Sequence, residues 1–272
     1  MMPDNALPDR DRRPERNASK AAAARGAITT RVTSDGVLLG QIVLPPEWLE
    51  RTPPPSLQHQ WLIAAETAQL LRFRQTADQW RMVAGRVLLR SCLREHFGIA
   101  FAEFTFGTHN KPMLAPQAQA SSIDFNLTHD RQHLLAAFST ERDVGIDVAA
   151  VADFAAWAEF GEGYLDPREI AWVSTAPQHD QPWRALRLWT LKEAILKSTG
   201  HGLDIDPREI VLMPDGARPF AFLPASLPAA DTFTLREWRC DGATGAALAS
   251  VTRAAHPIPH PDTETIPCTA TV

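Results

Sequence analysis

Apolar residues change their spacing several times along the chain, and each change marks a new element. In "AITTRVTSDGVLLGQIVLP" (27–45) they form short β-rich runs around an Asp35-Gly36 turn, which predicts two strands joined by a tight connection. Prolines at 45, 46, 53, 54 and 55 predict an irregular link. From about 57 to 97 the spacing becomes helical. The second helical stretch there, "TADQWRMVAGRVLLRSCLREHFGI", offers Thr76 or Asp78 as N-cap and Gly98 as terminator. Three closely spaced runs follow, "IDFNLTH" (123–129), "HLLAAFS" (133–139) and "DVGIDVA" (143–149), each with the length and composition of a strand. A helical region covers about 151–176, restarting at Asp166-Pro167 with the acid as N-cap and the proline at the first helical position. A further helix from about 180 to 199 stops at Gly200. The runs "IVLMP", "PFAFLP", "TFTLREWRC" and "GAALASVTR" then predict strands before a Pro-rich end.

This order implies an α+β fold. "GRVLLRS" (85–91) and "KEAILKS" (192–198) echo each other, each on a helix near a β-rich stretch, which favours two similar α+β halves packed side by side. The predicted halves run from 28 to 142 and from 143 to 255, between an N-terminal tail (1–27) and a C-terminal tail (256–272).

Composition narrows the function classes. The 272 residues carry a net charge of −5, so no broad basic footprint for nucleic acid is expected. The longest apolar runs are too short for a membrane span, and the start lacks the apolar region of a secretory signal. Cys92, Cys240 and Cys268 are widely spaced, without metal-ligand spacing, which fits a reducing, cytoplasmic compartment.

The candidate chemistry lies in three stretches. Strand alternation turns Val144, Ile146 and Val148 one way and Gly145, Asp147 and Ala149 the other, so Asp147 stands beside small residues that leave room for a ligand or a second backbone. On the later helix Trp189, Glu193 and Lys197 share a face at four-residue spacing. Glu193 also lies between two lysines, Lys192 and Lys197. That placement suits either a surface ion pair or a carboxylate held near a metal and an anion. The strand "IDFNLTHD" presents Asn126, Thr128 and His129, and "NKP" places Lys111 in a turn.

Taken in order, "HNKP" (109–112), "FNLTH" (125–129), "VGIDV" (144–148), "WTLKEAILK" (189–197) and "GHGL" (200–203) resemble the motifs of the 4′-phosphopantetheinyl transferases, in particular the larger, pseudodimeric, Sfp-like group. The resemblance is strong over roughly 70–210 and extends in outline to about 28–255. It implies transfer of the phosphopantetheine arm of coenzyme A to a serine of an apo acyl or peptidyl carrier protein, releasing 3′,5′-ADP, in a site between the two halves. It implies Mg²⁺, with Mn²⁺ as an alternative, held by Asp147 and Glu193, and Glu193 as the base. Lys197 would face the phosphates, with Lys192 beside it. Thr128 and His129 would contact pyrophosphate, and Lys111 and Arg81 the nucleotide. A monomer is expected, since two fused halves complete one site.

Two positions depart from the family pattern. Ala149 stands where many members carry a further acid, so Asp130 is the candidate for the missing metal oxygen, directly or through water. Lysines expected for the 3′-phosphate are missing, leaving Arg72 and Arg74 as the nearest cations. Trp157, Phe160, Tyr164 and Trp172 are candidates for a carrier-docking surface, with at least two of them expected in the core. The competing readings are a non-catalytic CoA- or carrier-binding module and a structural interaction protein.

Overall fold

The computed structural model describes residues 26–107, 111–115, 122–216 and 219–253. The predicted tails 1–27 and 256–272 therefore lie almost wholly outside the described residues. Four layers stack as helix, sheet, sheet, helix. The first sheet is antiparallel, with strands β1 (Thr29–Val32), β2 (Leu38–Val43), β6 (His133–Ser139) and β5 (Asp124–Asp130) in that spatial order. The second is also antiparallel, in the order β10 (Phe233–Arg239), β11 (Thr244–Thr252), β7 (Arg142–Ala150).

Each sheet carries one long helix on its outer face. Short helices α1 (Pro46–Leu49), α2 (Pro55–Trp61) and α3 (Ala64–Leu70) lead to α4 (Thr76–Phe97), which covers the first sheet. Helices α5 (Trp157–Phe160) and α6 (Pro167–Ser174) lead to α7 (Gln181–Thr199), which covers the second. A small hairpin accompanies each half, β3 (Phe104–Phe106) with β4 (Pro112–Leu114), and β8 (Val211–Leu212) with β9 (Phe220–Phe222).

Strand alternation builds the layers. On β2 and β6, Leu38, Ile42, Leu134, Ala136 and Phe138 turn to α4. Their neighbours Leu39, Leu135 and Ala137 turn the other way and meet Val144, Ile146, Val148, Ala246 and Leu248 of the second sheet. Each fully buried Leu, Ile, Val or Phe among them contributes about 1.5–3 kcal/mol through its burial. Both long helices end on a glycine in the left-handed region, Gly98 at φ 71° and Gly200 at φ 73°.

Two local expectations need correction. The proline-rich link is not irregular throughout: Pro46 and Pro55 each sit at the start of a short helix, where the missing N–H costs nothing. Helix α4 begins at Thr76 with Gln75 before it, so neither Thr76 nor Asp78 is its N-cap. Thr76 instead donates its hydroxyl to the Leu49 carbonyl. Asp166 does cap α6, accepting the Arg168 amide. Among the described residues, no helix is long and apolar enough to cross a membrane.

Candidate active site

The two sheets meet edge to edge at β5 and β7 without a backbone ladder. Side chains of alternate β5 residues bridge them instead. Asp124 Oδ2 accepts the Val144 amide at 2.7 Å, and Asn126 Oδ1 accepts the Ile146 amide at 3.1 Å. Thr128 Oγ1 donates to Asp147 Oδ1 at 3.3 Å, and the Ala150 amide lies near enough to favour the ionised form of Asp130. Polar positions at 124, 126, 128 and 130 thus face the partner edge with a period of two.

Helix α7 reaches this seam because β7 has a glycine where the two backbones touch. A Cβ at Gly145 would stand 2.1 Å from the Ala194 carbonyl oxygen and 2.3 Å from the Ser198 nitrogen. The close approach brings Lys197 Nζ to 2.6 Å from Asp147 Oδ1 and 3.8 Å from Glu193 Oε2. Asp147 is buried, whereas Glu193 and Lys197 are partly open. Burial raises the Asp147 carboxyl above its ordinary range, with Lys197 and Thr128 opposing the shift. Burial also raises Glu193, and the charge of Asp147 raises it further, against Lys197. Glu193 accepts no hydrogen bond from a described residue, so it is a partly desolvated carboxylate free to take a proton or a cation.

A cleft of about 390 Å³ opens on this pair, lined by Lys111, Pro112, Asn126, Leu127, Glu193, Leu196, Lys197 and Leu203 among others. A larger groove beside Trp48 and Trp80 is lined by no acidic or histidine side chain. At the cleft wall Lys111 donates to Asp124 Oδ2 at 2.8 Å and to the Val144 carbonyl at 3.3 Å. The His129 ring is held below its ordinary pKa, first by burial and then by the charges of Arg81 and Lys197, with Asp78 opposing. Arg81 is itself anchored, through Asp78 at 2.8 Å and the Arg131 carbonyl at 2.9 Å. Arg81 and Lys197 therefore gather positive potential around a His129 ring held toward its neutral form, as an anion site requires.

Not every expected residue joins them. Lys192 is a correction: it is fully buried, with Nζ 2.6 Å from Glu169 Oε2 and 2.8 Å from the Tyr164 carbonyl, on the side of α7 away from the cleft. Lys197 lies five positions further along the helix, which is about 500° of turn, so the two lysines point about 140° apart. Thr128 spends its hydroxyl on Asp147. Asp130 stands apart from the carboxylate pair: its nearest charges are Asp153 and Arg131, and among the described residues no three His, Cys, Asp or Glu side chains converge as a metal cage. Its Oδ2 is buried with no hydrogen-bond partner. Ala149 packs into the core under α7. Arg72 and Arg74 are exposed on the turn before α4, and neither makes an ion pair with a described residue. Of the docking candidates, Trp157 and Tyr164 are core residues, Trp172 is half-buried and Phe160 is exposed.

One group escaped the sequence reading as a site residue. Asp124 forms the seam together with Asn126, and the alternation of polar residues along β5 is the available signal.

Comparison with known proteins agrees with this layout. Residues 48–141 match the family model "4′-phosphopantetheinyl transferase, N-terminal", and residues 143–249 match the model of the 4′-phosphopantetheinyl transferase superfamily. The chain is 30% identical over 191 residues to 4′-phosphopantetheinyl transferase HetI of Nostoc sp., covering 69% of this chain and 78% of HetI. It is 25% identical over 149 residues to 4′-phosphopantetheinyl transferase Sfp of Bacillus subtilis, covering 53% and 64%. It is also 30% identical over 120 residues to AcpT of Escherichia coli strain K12, covering 44% and 57%. The two matched models meet at the start of β7, the strand that carries Asp147, and this chain belongs to the 4′-phosphopantetheinyl transferase family.

Proposed function

We propose that this chain transfers the 4′-phosphopantetheine arm of coenzyme A to a serine hydroxyl of an apo acyl or peptidyl carrier protein. The observation that carries the reading is the convergence of Asp147, Glu193 and Lys197, the last two of which line a cleft between the halves. The serine oxygen bonds to the phosphorus bearing the pantetheine, the bond from that phosphorus to the bridging oxygen breaks, and 3′,5′-ADP leaves. The serine must lose a proton and the leaving group must have its charge balanced.

Glu193 suits the first task. Burial and the neighbouring Asp147 raise its proton affinity, and it has no competing donor besides distant Lys197. Lys197, Arg81 and His129 suit the second, as cations or donors fixed around one anion position. Lys111 would hold the nucleotide side from the β3–β4 hairpin, and Arg72 and Arg74 are the cations offered to the 3′-phosphate.

The donor set also fits Mg²⁺. Asp147 and Glu193 are hard oxygen donors, and the charge of Asp147 raises the proton affinity of Glu193, a repulsion that a divalent cation relieves. They would hold the ion, and Asp130, whose Oδ2 accepts no hydrogen bond and lies 3.9 Å from Arg131 Nε, would act only through water. Bound there, Mg²⁺ or Mn²⁺ supplies charge neutralisation at the pyrophosphate. The reading places the halves at 28–142 and 143–255, each chain acting as a cytoplasmic monomer.

The test is the intact mass of an apo carrier protein after incubation with the chain, CoA and Mg²⁺, beside a Glu193→Ala control. A gain of one phosphopantetheine that the control lacks supports the reading. No gain across fatty-acid, polyketide and peptide carriers overturns it in favour of a CoA- or carrier-binding module.

A further inference from the structure

Asn126 stands at the seam and in the cleft at once. It is almost fully buried, at 4% exposure, yet it lines the cleft with Lys111, Glu193 and Lys197. Its amide cannot face either way. The Ile146 backbone amide can only donate, so the Asn126 oxygen must receive it and the NH₂ group must turn to the opposite side. That nitrogen donates to no described residue, and it is not among the sealed, unpartnered polar atoms. The nearby cations are differently placed: Lys111 already donates to Asp124, and Lys197 to Asp147. A locked, uncommitted N–H donor therefore points into the slot beside Glu193.

Resting on the transferase reading, we propose that Asn126 binds the half of CoA that is transferred. Its oxygen joins the two sheets, and its NH₂ donates to an oxygen of the phosphopantetheine moiety, either on the phosphate or on the first carbonyl of the arm. The contact is placed on the transferred side of the scissile bond because Asn126 shares the cleft with Glu193, the group that meets the incoming serine, and with Leu127 and Leu196, while Lys111 of the same cleft, already donating to Asp124, and Arg81 and His129 are left to the nucleotide side.

Two variants separate the two roles. Asn126→Asp keeps an oxygen for Ile146 and removes the donor. Asn126→Leu removes both and adds no charge. Affinities for CoA and for 3′,5′-ADP are measured by calorimetry on the full chain at fixed Mg²⁺, beside thermal melts. The expected result is a CoA affinity lower by ~10-fold or more in both variants, with 3′,5′-ADP within ~2-fold of wild type, as loss of one hydrogen bond to a charged or carbonyl oxygen implies. The melting temperature should fall clearly only in Asn126→Leu. Wild-type CoA affinity in either variant overturns the proposal. So does an equal loss for CoA and 3′,5′-ADP, which would report repulsion by the new carboxylate or a disturbed seam. If Asn126→Leu does not fold, the paired affinities of Asn126→Asp decide alone. A wild-type chain that binds both nucleotides but modifies no carrier removes the transferase reading and leaves the Asn126 contact standing. A wild-type chain that binds neither removes both.

Discussion

The two halves use the same device to tie a short helix to a long one, and only one half goes on to do chemistry. In the N-terminal half Glu66, third residue of α3, accepts the Ile63 amide and pairs with Arg86 at 2.6 Å and Arg90 at 2.8 Å on α4. In the C-terminal half Glu169, third residue of α6, accepts the Asp166 amide and pairs with Lys192 of α7 at 2.6 Å. Glu169 also accepts the Leu212 amide, and Arg90 donates to the carbonyls of Ala102 and Trp61. Both clusters are buried, and both oxygens of each acid accept a hydrogen bond. Beyond this shared core the halves differ. Helix α4 meets its sheet through Leu88 and Cys92, close to Gly40 of β2. Helix α7 presents Glu193 and Lys197, which are only partly sealed. A saturated ion pair is scaffolding; an unsaturated one beside it is a site.

The largest effect expected from breaking this comparison is on Lys192. Lys192→Met leaves Glu169 buried and unpaired and should cost about 3–5 kcal/mol of stability in denaturant unfolding. The paired change Lys192→Met with Glu169→Leu should recover most of that loss, since neither charge is then stranded. If Lys192→Met melts like wild type and only weakens CoA binding, the lysine belongs to the site after all.

Glu193→Gln should act in the opposite sense. Transfer falls by about 10²–10³-fold, about 3–4 kcal/mol in activation free energy, while the melting temperature rises by roughly 1–3 °C. The rise follows from the sign of the shift. A carboxyl raised above its ordinary 4.5 takes up protons on folding, so its ionised form lowers stability as pH rises through the folded value, and a neutral amide removes that penalty. A lower melting temperature would mean that Glu193 is scaffolding like Glu169.

In the N-terminal half, Arg86→Met should cost about 1–3 kcal/mol because Arg90 still pairs with Glu66, and transfer per folded molecule should be unchanged. The smallest effect concerns His129. Its pKa lies below 6.5 in the fold, so it contributes stability that is present above about pH 6.5 and lost as pH falls through the folded value. An anion bound between Arg81 and Lys197 raises that pKa. CoA binding just below pH 6.5 should therefore take up a fraction of a proton, read by calorimetry in buffers of different ionisation enthalpy. Binding without proton uptake would place the anion elsewhere.

Much of this was legible in the chain. Short β-rich runs located β5, β6, β7, β10 and β11, and the glycines after the long helices marked where they stop. The pairing of Glu193 with Lys197 followed from helical spacing, and the room beside Asp147 from Gly145. Lys192 was misread because adjacency in sequence was allowed to stand for a shared face, although neighbouring helical residues point about 100° apart. Its partner Glu169 lies 23 residues away on another helix, a distance no local pattern reports. Asp130 illustrates a different limit. Its position on β5 was readable, but its separation from the carboxylate pair depends on how two sheet edges meet.

That meeting has an architectural consequence. Strands in a backbone ladder lie about 4.8 Å apart, a spacing no substitution alters. Between β5 and β7 the spacing is set by the reach of side chains, Asp124 to Val144 and Asn126 to Ile146. The gap is thus written in residue types, and exchanging a short polar side chain for one a methylene longer would reset the width of the slot without redrawing either sheet.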